Sequence, residues 1–328
     1  MDKKASEQIH EQDSVKTVLI IGITGGLAQL LAKLILKEHP TWKVIGVDSR
    51  STQTVFKHPN LTSLRIRFSR GNFENLFRDH RFDYVYHLAR ISSSQVYKDL
   101  SKRLELNVMG TNRILDLCYR FNVKKIIILS TFHVYGALDD NGIFLKEDAP
   151  LRASIKYPEL RDVVEMDQVC SNWMWKYQNE VDSVLLRPCN IIGSQISNTI
   201  SRYLMSQFAL RPMDYNPVFQ FIHEFDMALV LHRAIAELPT GIYNVSTNEF
   251  IPLRQALDII GSHGIPFPIT LASALNKALK IPRLDIPEYL IDYLKFSCLI
   301  DNTLIKKHLG EDFSRFKVDE TLNLIKLN

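Results

Sequence analysis

Short runs of apolar, β-branched residues alternate along this chain with longer segments whose apolar positions recur at helical spacing. The first run, Thr17–Ile21 (TVLII), carries no polar side chain after its threonine. A strand apolar on both faces is covered on both faces, as in the centre of a parallel sheet. It passes through glycines into Leu27–Leu36, where apolar residues are dense enough for a buried helix. Further strands are predicted at Lys43–Val47, Leu61–Phe68, Asp83–Leu88, Lys125–Ser130 and Asp182–Leu186, with a long helical pattern over 100–121 that ends at Asn122. Repeated strand–helix–strand units require right-handed crossovers and a doubly wound parallel sheet, a Rossmann-type α/β fold.

After Pro188 the rhythm changes. Prolines become frequent and the remaining strand-like runs are short and isolated. The expected organisation is a flexible polar tail over 1–14, a dinucleotide-binding domain over 15–188, and a smaller α/β lobe over 189–328 that covers the carboxyl ends of the strands and holds substrate.

Composition narrows the function. A net charge of +4, with no basic block or stripe, argues against nucleic acid as a partner. The four cysteines, Cys118, Cys170, Cys189 and Cys298, have neither metal nor disulfide spacing, so they read as free thiols of a reducing compartment. No signal-peptide core or membrane span is evident and no metal site is expected; a cytoplasmic location follows as an expectation.

The first strand runs into Gly22-Ile-Thr-Gly25-Gly26-Leu27-Ala28. Gly22 permits a tight turn, Gly25 lets backbone approach a pyrophosphate, and Ala28 lets helix pack on strand. The amides of Gly26 and Leu27 then open a helix whose positive end faces phosphate. Asp48 closes the second strand about twenty residues on, where a carboxylate accepts both ribose hydroxyls of NAD and repels the 2′-phosphate of NADP. Arg50 is close enough in sequence to soften that preference.

With these pieces in place, the sequence resembles an extended short-chain dehydrogenase/reductase of the NAD-dependent epimerase/dehydratase type. The resemblance covers residue 17 to about 245. It rests on the glycine turn, Asp48, YVYHLA (84–89), NVMGT (107–111), LSTFHVYG (129–136), LRPCNIIG (186–193), FIHEFD (221–226) and GIYNV (241–245), all in the family's order. It implies NAD as cofactor, with the Leu88-Ala89 backbone beside it. It also implies a catalytic Ser/Thr, Tyr and Lys. Thr131 takes the hydroxyl role and Tyr157 that of general acid/base. The lysine position, four residues after the tyrosine, holds Arg161. Residues four apart share a helix face, so Tyr157 and Arg161 are expected to converge on one site. Arginine keeps the cation but points a longer, planar fork. His133 is weighed as a substrate-facing group against a structural loop histidine, and His87 and Asn107 are read as structural.

A second departure concerns substrate. Family members that bind nucleotide sugars carry an Arg-Asp pair just before the FIHEFD-like segment, and here it reads Phe219-Gln220. The expected function is an NAD-dependent oxidoreductase or epimerase acting on a secondary alcohol or ketone, on a sugar or another hydroxy compound. The alternative is a non-catalytic NAD-binding sensor or scaffold with a degenerate site. The resemblance further implies a homodimer, paired through helices spanning roughly 100–121 and 157–180.

Overall fold

The computed structural model describes residues 15–90, 99–206, 209–271 and 287–326. The predicted tail over 1–14 lies outside the described residues. Seven parallel strands form the central sheet: β1 (Thr17–Ile21), β2 (Lys43–Asp48), β3 (Leu61–Arg65), β4 (Tyr84–His87), β5 (Lys125–Leu129), β6 (Asp182–Pro188) and β11 (Gly241–Val245), in the order β11-β6-β5-β4-β1-β2-β3. The order reverses between β1 and β4, which is where sheets of this kind bind ligands.

The apolar run of β1 divides between two cores as a period of two requires. Val18 and Ile20 enter the cluster packed by α1 (Gly26–Glu38) and α5 (Glu224–Glu237). Leu19 and Ile21 enter the opposite cluster with α2 (Arg70–Asp79), α3 (Gly110–Arg120) and α4 (Arg161–Lys176). The stop at Asn122 is local chemistry. Asn122 takes a left-handed φ of 52°, and the Val123 amide reaches back to the Cys118 carbonyl while Asn122 bonds Tyr119, a Schellman ending.

Two features depart from the sequence reading. The helical pattern over 100–121 is not one α-helix: a short turn (Leu100–Arg103) leads into a π-helical segment (Leu104–Met109) before α3 begins. The central sheet also does not end at Pro188. The GIYNV stretch, β11, returns from the C-terminal half to pair with β6, with Tyr243 opposite Leu186. Beyond Pro188 three small sheets pair β7 (Asn190–Ile192) with β10 (Phe221–His223), β9 (Val218–Phe219) with β12 (Ile251–Pro252), and β8 (Leu210–Pro212) with β13 (Ile265–Phe267). The helices α6 (Leu253–Ile260) and α7 (Glu288–Tyr293) complete this lobe. All four cysteines are free and buried. No helix among the described residues is long and apolar enough to cross a membrane.

Candidate active site

A cleft of about 660 Å³ opens over the carboxyl ends of the central strands. Its walls are the start of α1, the ends of β4, β5 and β6, the first turn of α4, the loop around Gln195 and helix α7.

At one end the glycine turn is built as a dinucleotide site requires. Gly22 adopts φ +98°, and a Cβ there would lie 3.0 Å from the Ala89 nitrogen, so the turns after β1 and β4 press together back to back. Gly25 caps α1 without a side-chain bond and no acid occupies the first turn, which leaves the helix's positive end free of a competing carboxylate. Gly25, Gly26, Leu27 and Leu88 line the cleft, with Gly22 and Ala89 directly behind. At Gly26 a Cβ would meet the Gln195 carbonyl at 2.3 Å, so the loop after β7 seats on the glycine turn. That loop is anchored by Glu224, which accepts the Gln195 amide at 3.0 Å and the Ser194 hydroxyl at 3.2 Å.

Asp48 stands at the end of β2, 9% exposed. Its carboxylate accepts the Thr24 hydroxyl at 2.6 Å, the Arg50 amide at 2.9 Å, and the Arg50 guanidinium at 3.3 and 3.2 Å. Burial alone would favour the protonated acid. The bonds from Arg50 and Thr24 outweigh it and hold the carboxyl below its usual range. The guanidinium is 67% exposed at the cleft rim and is the group a ribose diol would displace. The residues here fit an adenine dinucleotide.

Thr131 follows β5 and lines the same cleft. Its hydroxyl is 2.8 Å from His133 Nδ1, and His133 also lines the cleft, packed on Tyr293 and edge-on to Tyr289. Burial, then the charge of Arg90, lowers the imidazole to about 3, so it is neutral near pH 7. Beneath Thr131, Ser130 donates to Asp167, which also takes Arg187 Nε at 3.0 Å and Nη2 at 2.6 Å. Arg187 Nη1 reaches the Tyr135 hydroxyl and the Glu147 carbonyl. This buried network locks the ends of β5 and β6 to α4.

Tyr157 and Arg161 are not brought to Thr131, a correction to the expected convergence. Tyr157 is not on a helix with Arg161. Its φ, ψ of −121°, 93° are extended, because Pro158 denies the residue before it the α region, and α4 begins only at Arg161. The Tyr157 hydroxyl is turned away, donating to Asp292 at 2.5 Å near the Ala137 carbonyl. Burial, then Asp292, pushes the phenol far above its usual range. Arg161 points outward, 58% exposed and bonded to Glu165 at 2.6 Å.

Arg50, Arg90, Arg103 and Arg202 line the cleft, and of these Arg90 and Arg103 are residues the sequence reading had not singled out. Arg103 is 4% exposed, lines the cleft, and bonds Asp162 at 3.1 Å. Asp162 is fully buried in the first turn of α4 and also accepts Asn107 at 2.7 Å. The spacing of Arg103 and Asn107, four apart on one face, was the available signal. Arg90, one residue beyond YVYHLA, lines the cleft as well. His87 is buried against Thr111 at 2.8 Å, and burial lowers it to about 4, in keeping with a structural role. At the position of the missing arginine Phe219 lines the cleft, and Gln220, at the aspartate's place, is core: it donates to Ser246 and the Ile300 carbonyl and accepts the Ile300 amide.

The fold is a doubly wound α/β sheet with a cleft over the carboxyl ends of its strands and a glycine turn of the dinucleotide-binding kind at one end of that cleft. Residues 18–246 match the NAD dependent epimerase/dehydratase family, and the chain belongs to it. An uncharacterized protein of Mycobacterium tuberculosis is 24% identical over 304 residues, 90% of this chain and 79% of that one. A dTDP-D-glucose 4,6-dehydratase of Dictyostelium discoideum is 30% identical over 138 residues, 39% of this chain and 32% of its own. Among solved structures, the UDP-glucose 4-epimerase of Thermotoga maritima superposes with a TM-score of 0.75 at 18% identity, covering 95% of this chain and 97% of that one. MoeE5 in complex with UDP-glucuronic acid and NAD superposes at 0.74 with 16% identity, over 94% and 98%. At such identities the likeness establishes the fold.

Proposed function

We propose that the protein is an NAD-dependent oxidoreductase or epimerase acting on a secondary alcohol or its ketone. The observation that carries this reading is that one cleft joins the uncapped helix end at Gly25–Leu27, with Asp48 and Arg50 at its rim, to the Thr131–His133 pair at the end of β5. When bound, NAD+ supplies the hydride acceptor. Thr131 Oγ1, held 2.8 Å from the neutral His133 Nδ1, takes a hydrogen bond from the substrate hydroxyl and orients it toward the cofactor. The Ser130–Asp167–Arg187 network holds the strand end in register for that contact. Asp48 favours NAD over NADP, since a 2′-phosphate would meet a buried carboxylate.

The placement of Tyr157 against Asp292 and of Arg161 against Glu165 favours a second reading, a cofactor-binding sensor that has lost the chemistry. Calorimetric titration with NAD+, NADH and NADP+ comes first. NAD(H) is expected to bind better than NADP+, and Asp48→Ala to weaken it at least about tenfold, since hydrogen bonds to a charged acceptor contribute about 1.5–3 kcal/mol each. Absence of binding by any dinucleotide would end the reading. Turnover on a panel of alcohols and ketones that falls in Thr131→Val and His133→Gln separates the enzyme from the sensor.

We also assign the dimer contact to the exposed apolar side chains Met109, Tyr119 and Trp175, which project from the π segment, α3 and α4 at 53%, 41% and 50% exposure.

A further inference from the structure

Tyr157 is turned away from the Thr131–His133 pair, yet its partner leads back to it. The phenol donates to Asp292 at 2.5 Å, and Asp292 belongs to α7, whose Tyr289, Leu290 and Tyr293 line the cleft. The same carboxylate, 14% exposed, pairs with Lys156 Nζ at 2.7 Å and lies 3.6 Å from Lys295 Nζ. Lys156 Nζ in turn stands over the Tyr157 and Phe296 rings, 5.6 Å from each centroid. Two residues beyond Tyr157, Glu159 accepts the Tyr289 amide at 2.8 Å, a donor that the first turn of a helix leaves open. Residues 156–159 therefore grip α7 near both of its ends, and Pro158 fixes the backbone between the two contacts.

The grip is aimed at the site. On its other side α7 sets the Tyr293 ring 5.0 Å from His133 and edge-on to Phe132 at 5.6 Å, and the Tyr289 ring edge-on to His133 at 5.8 Å. Thr131 itself is only 8% exposed, so the seat of these rings governs how far a substrate reaches its hydroxyl. A helix of six residues holds few hydrogen bonds of its own, and contacts from outside decide where it rests. A shift of α7 at Asp292 carries Tyr289 and Tyr293 with it.

We propose that Tyr157 is a positioning residue: through Asp292, and together with Lys156 and Glu159, it seats α7 against the Thr131–His133 pair and so sets how tightly substrate is held there. The inference rests on the reading that Thr131 faces the reacting hydroxyl. It gives Tyr157 a part in substrate affinity and none in proton transfer.

Hydrogen exchange followed by mass spectrometry on the cofactor-free chain tests the grip without any substrate. Tyr157→Phe removes one hydroxyl and should speed exchange over 288–294 at least about tenfold, the worth of one hydrogen bond to a charged group, with the α1 amides unchanged. Asp292→Ala should speed it too, and the double variant should be no faster than Asp292→Ala alone, since both remove the same bond. Turnover is the second readout. On a compound of the alcohol and ketone panel that reacts, Tyr157→Phe should raise KM and keep kcat within about threefold, as loss of uniform binding does. Unchanged exchange over α7, additive effects in the double variant, or an unchanged KM overturns the proposal. A kcat lowered about a hundredfold at that unchanged KM would return Tyr157 to the chemistry. If nothing on the panel turns over, the proposed function falls and takes the substrate role of Tyr157 with it, while the exchange still decides the grip.

Discussion

Replacing Asp167 by alanine should remove a large part of this protein's stability, and the structure says how much. The carboxylate is fully buried and accepts the Ser130 hydroxyl at 2.5 Å and two Arg187 nitrogens at 3.0 and 2.6 Å. Arg187 is 3% exposed, so losing Asp167 leaves a guanidinium in the core without its counter-charge. Burial by itself would lower the Arg187 pKa, and Asp167 reverses that and raises it. Breaking one side of a buried pair costs about 3–5 kcal/mol. The lower half of that range applies, because Arg187 keeps the Tyr135 hydroxyl at 2.9 Å and the Glu147 carbonyl at 2.8 Å. Against a total of about 5–15 kcal/mol this is severe. Urea unfolding followed by both tryptophan fluorescence and circular dichroism should show a lower midpoint at little changed slope. Asp167→Leu combined with Arg187→Met should recover most of the loss seen in Asp167→Leu alone, since removing both charges leaves nothing unpaired. A loss under about 1 kcal/mol for Asp167→Ala, or a double variant as weak as the sum of its singles, would refute the argument.

Gly26→Ala should cost about 1–3 kcal/mol and weaken dinucleotide binding, because the new methyl meets the Gln195 carbonyl and lifts the loop off the glycine turn; thermal melts with and without NAD+ read both effects. His87 and His223 are lowered to about 4 and His133 to about 3, in each case first by burial. Their unfolded forms, with pKa near 6.5, bind protons the folded protein refuses, so stability should rise with pH from about 4 to about 6.5 and level off above; denaturant midpoints flat across that window would contradict this. Met109→Glu with Trp175→Glu should convert a dimer into a monomer by light scattering, and an unchanged mass would remove these side chains from the interface.

The sheet was legible because its strands carry a strong signal. The apolar β1 and the Gly22, Gly25, Asp48 spacing are imposed by burial on both faces and by backbone approach to a ligand, which local sequence records. What failed was inference from spacing alone. Tyr157 and Arg161 sit four apart, yet Pro158 lies between them, and a proline at that point places the preceding residue outside the helix. The signal was in the sequence, in the very next residue. Arg103 was harder to find, since what fixes it at the cleft is Asp162, a residue 59 positions away that only folding brings near. Gln220 shows the same limit: nothing local announces that its amide ties β9 and β10 to Ile300.

The return of β11 to the central sheet has a consequence for how the chain is made. Until residues 241–245 emerge, β6 is an unpaired edge, with a ladder of open amides and carbonyls along an apolar strand. At a synthesis rate of about 5–20 residues per second, the stretch between β6 and β11 takes roughly 3–11 s to appear. A ribosome-bound fragment ending near Pro188 therefore holds a cofactor cradle whose sheet is still open at one side, and it is the species most exposed to wrong pairing. The sequence after the glycine turn is thus tied to the birth of the protein as well as to its finished shape, and a genetic truncation at the lobe boundary would be expected to yield aggregates rather than an isolated nucleotide-binding half.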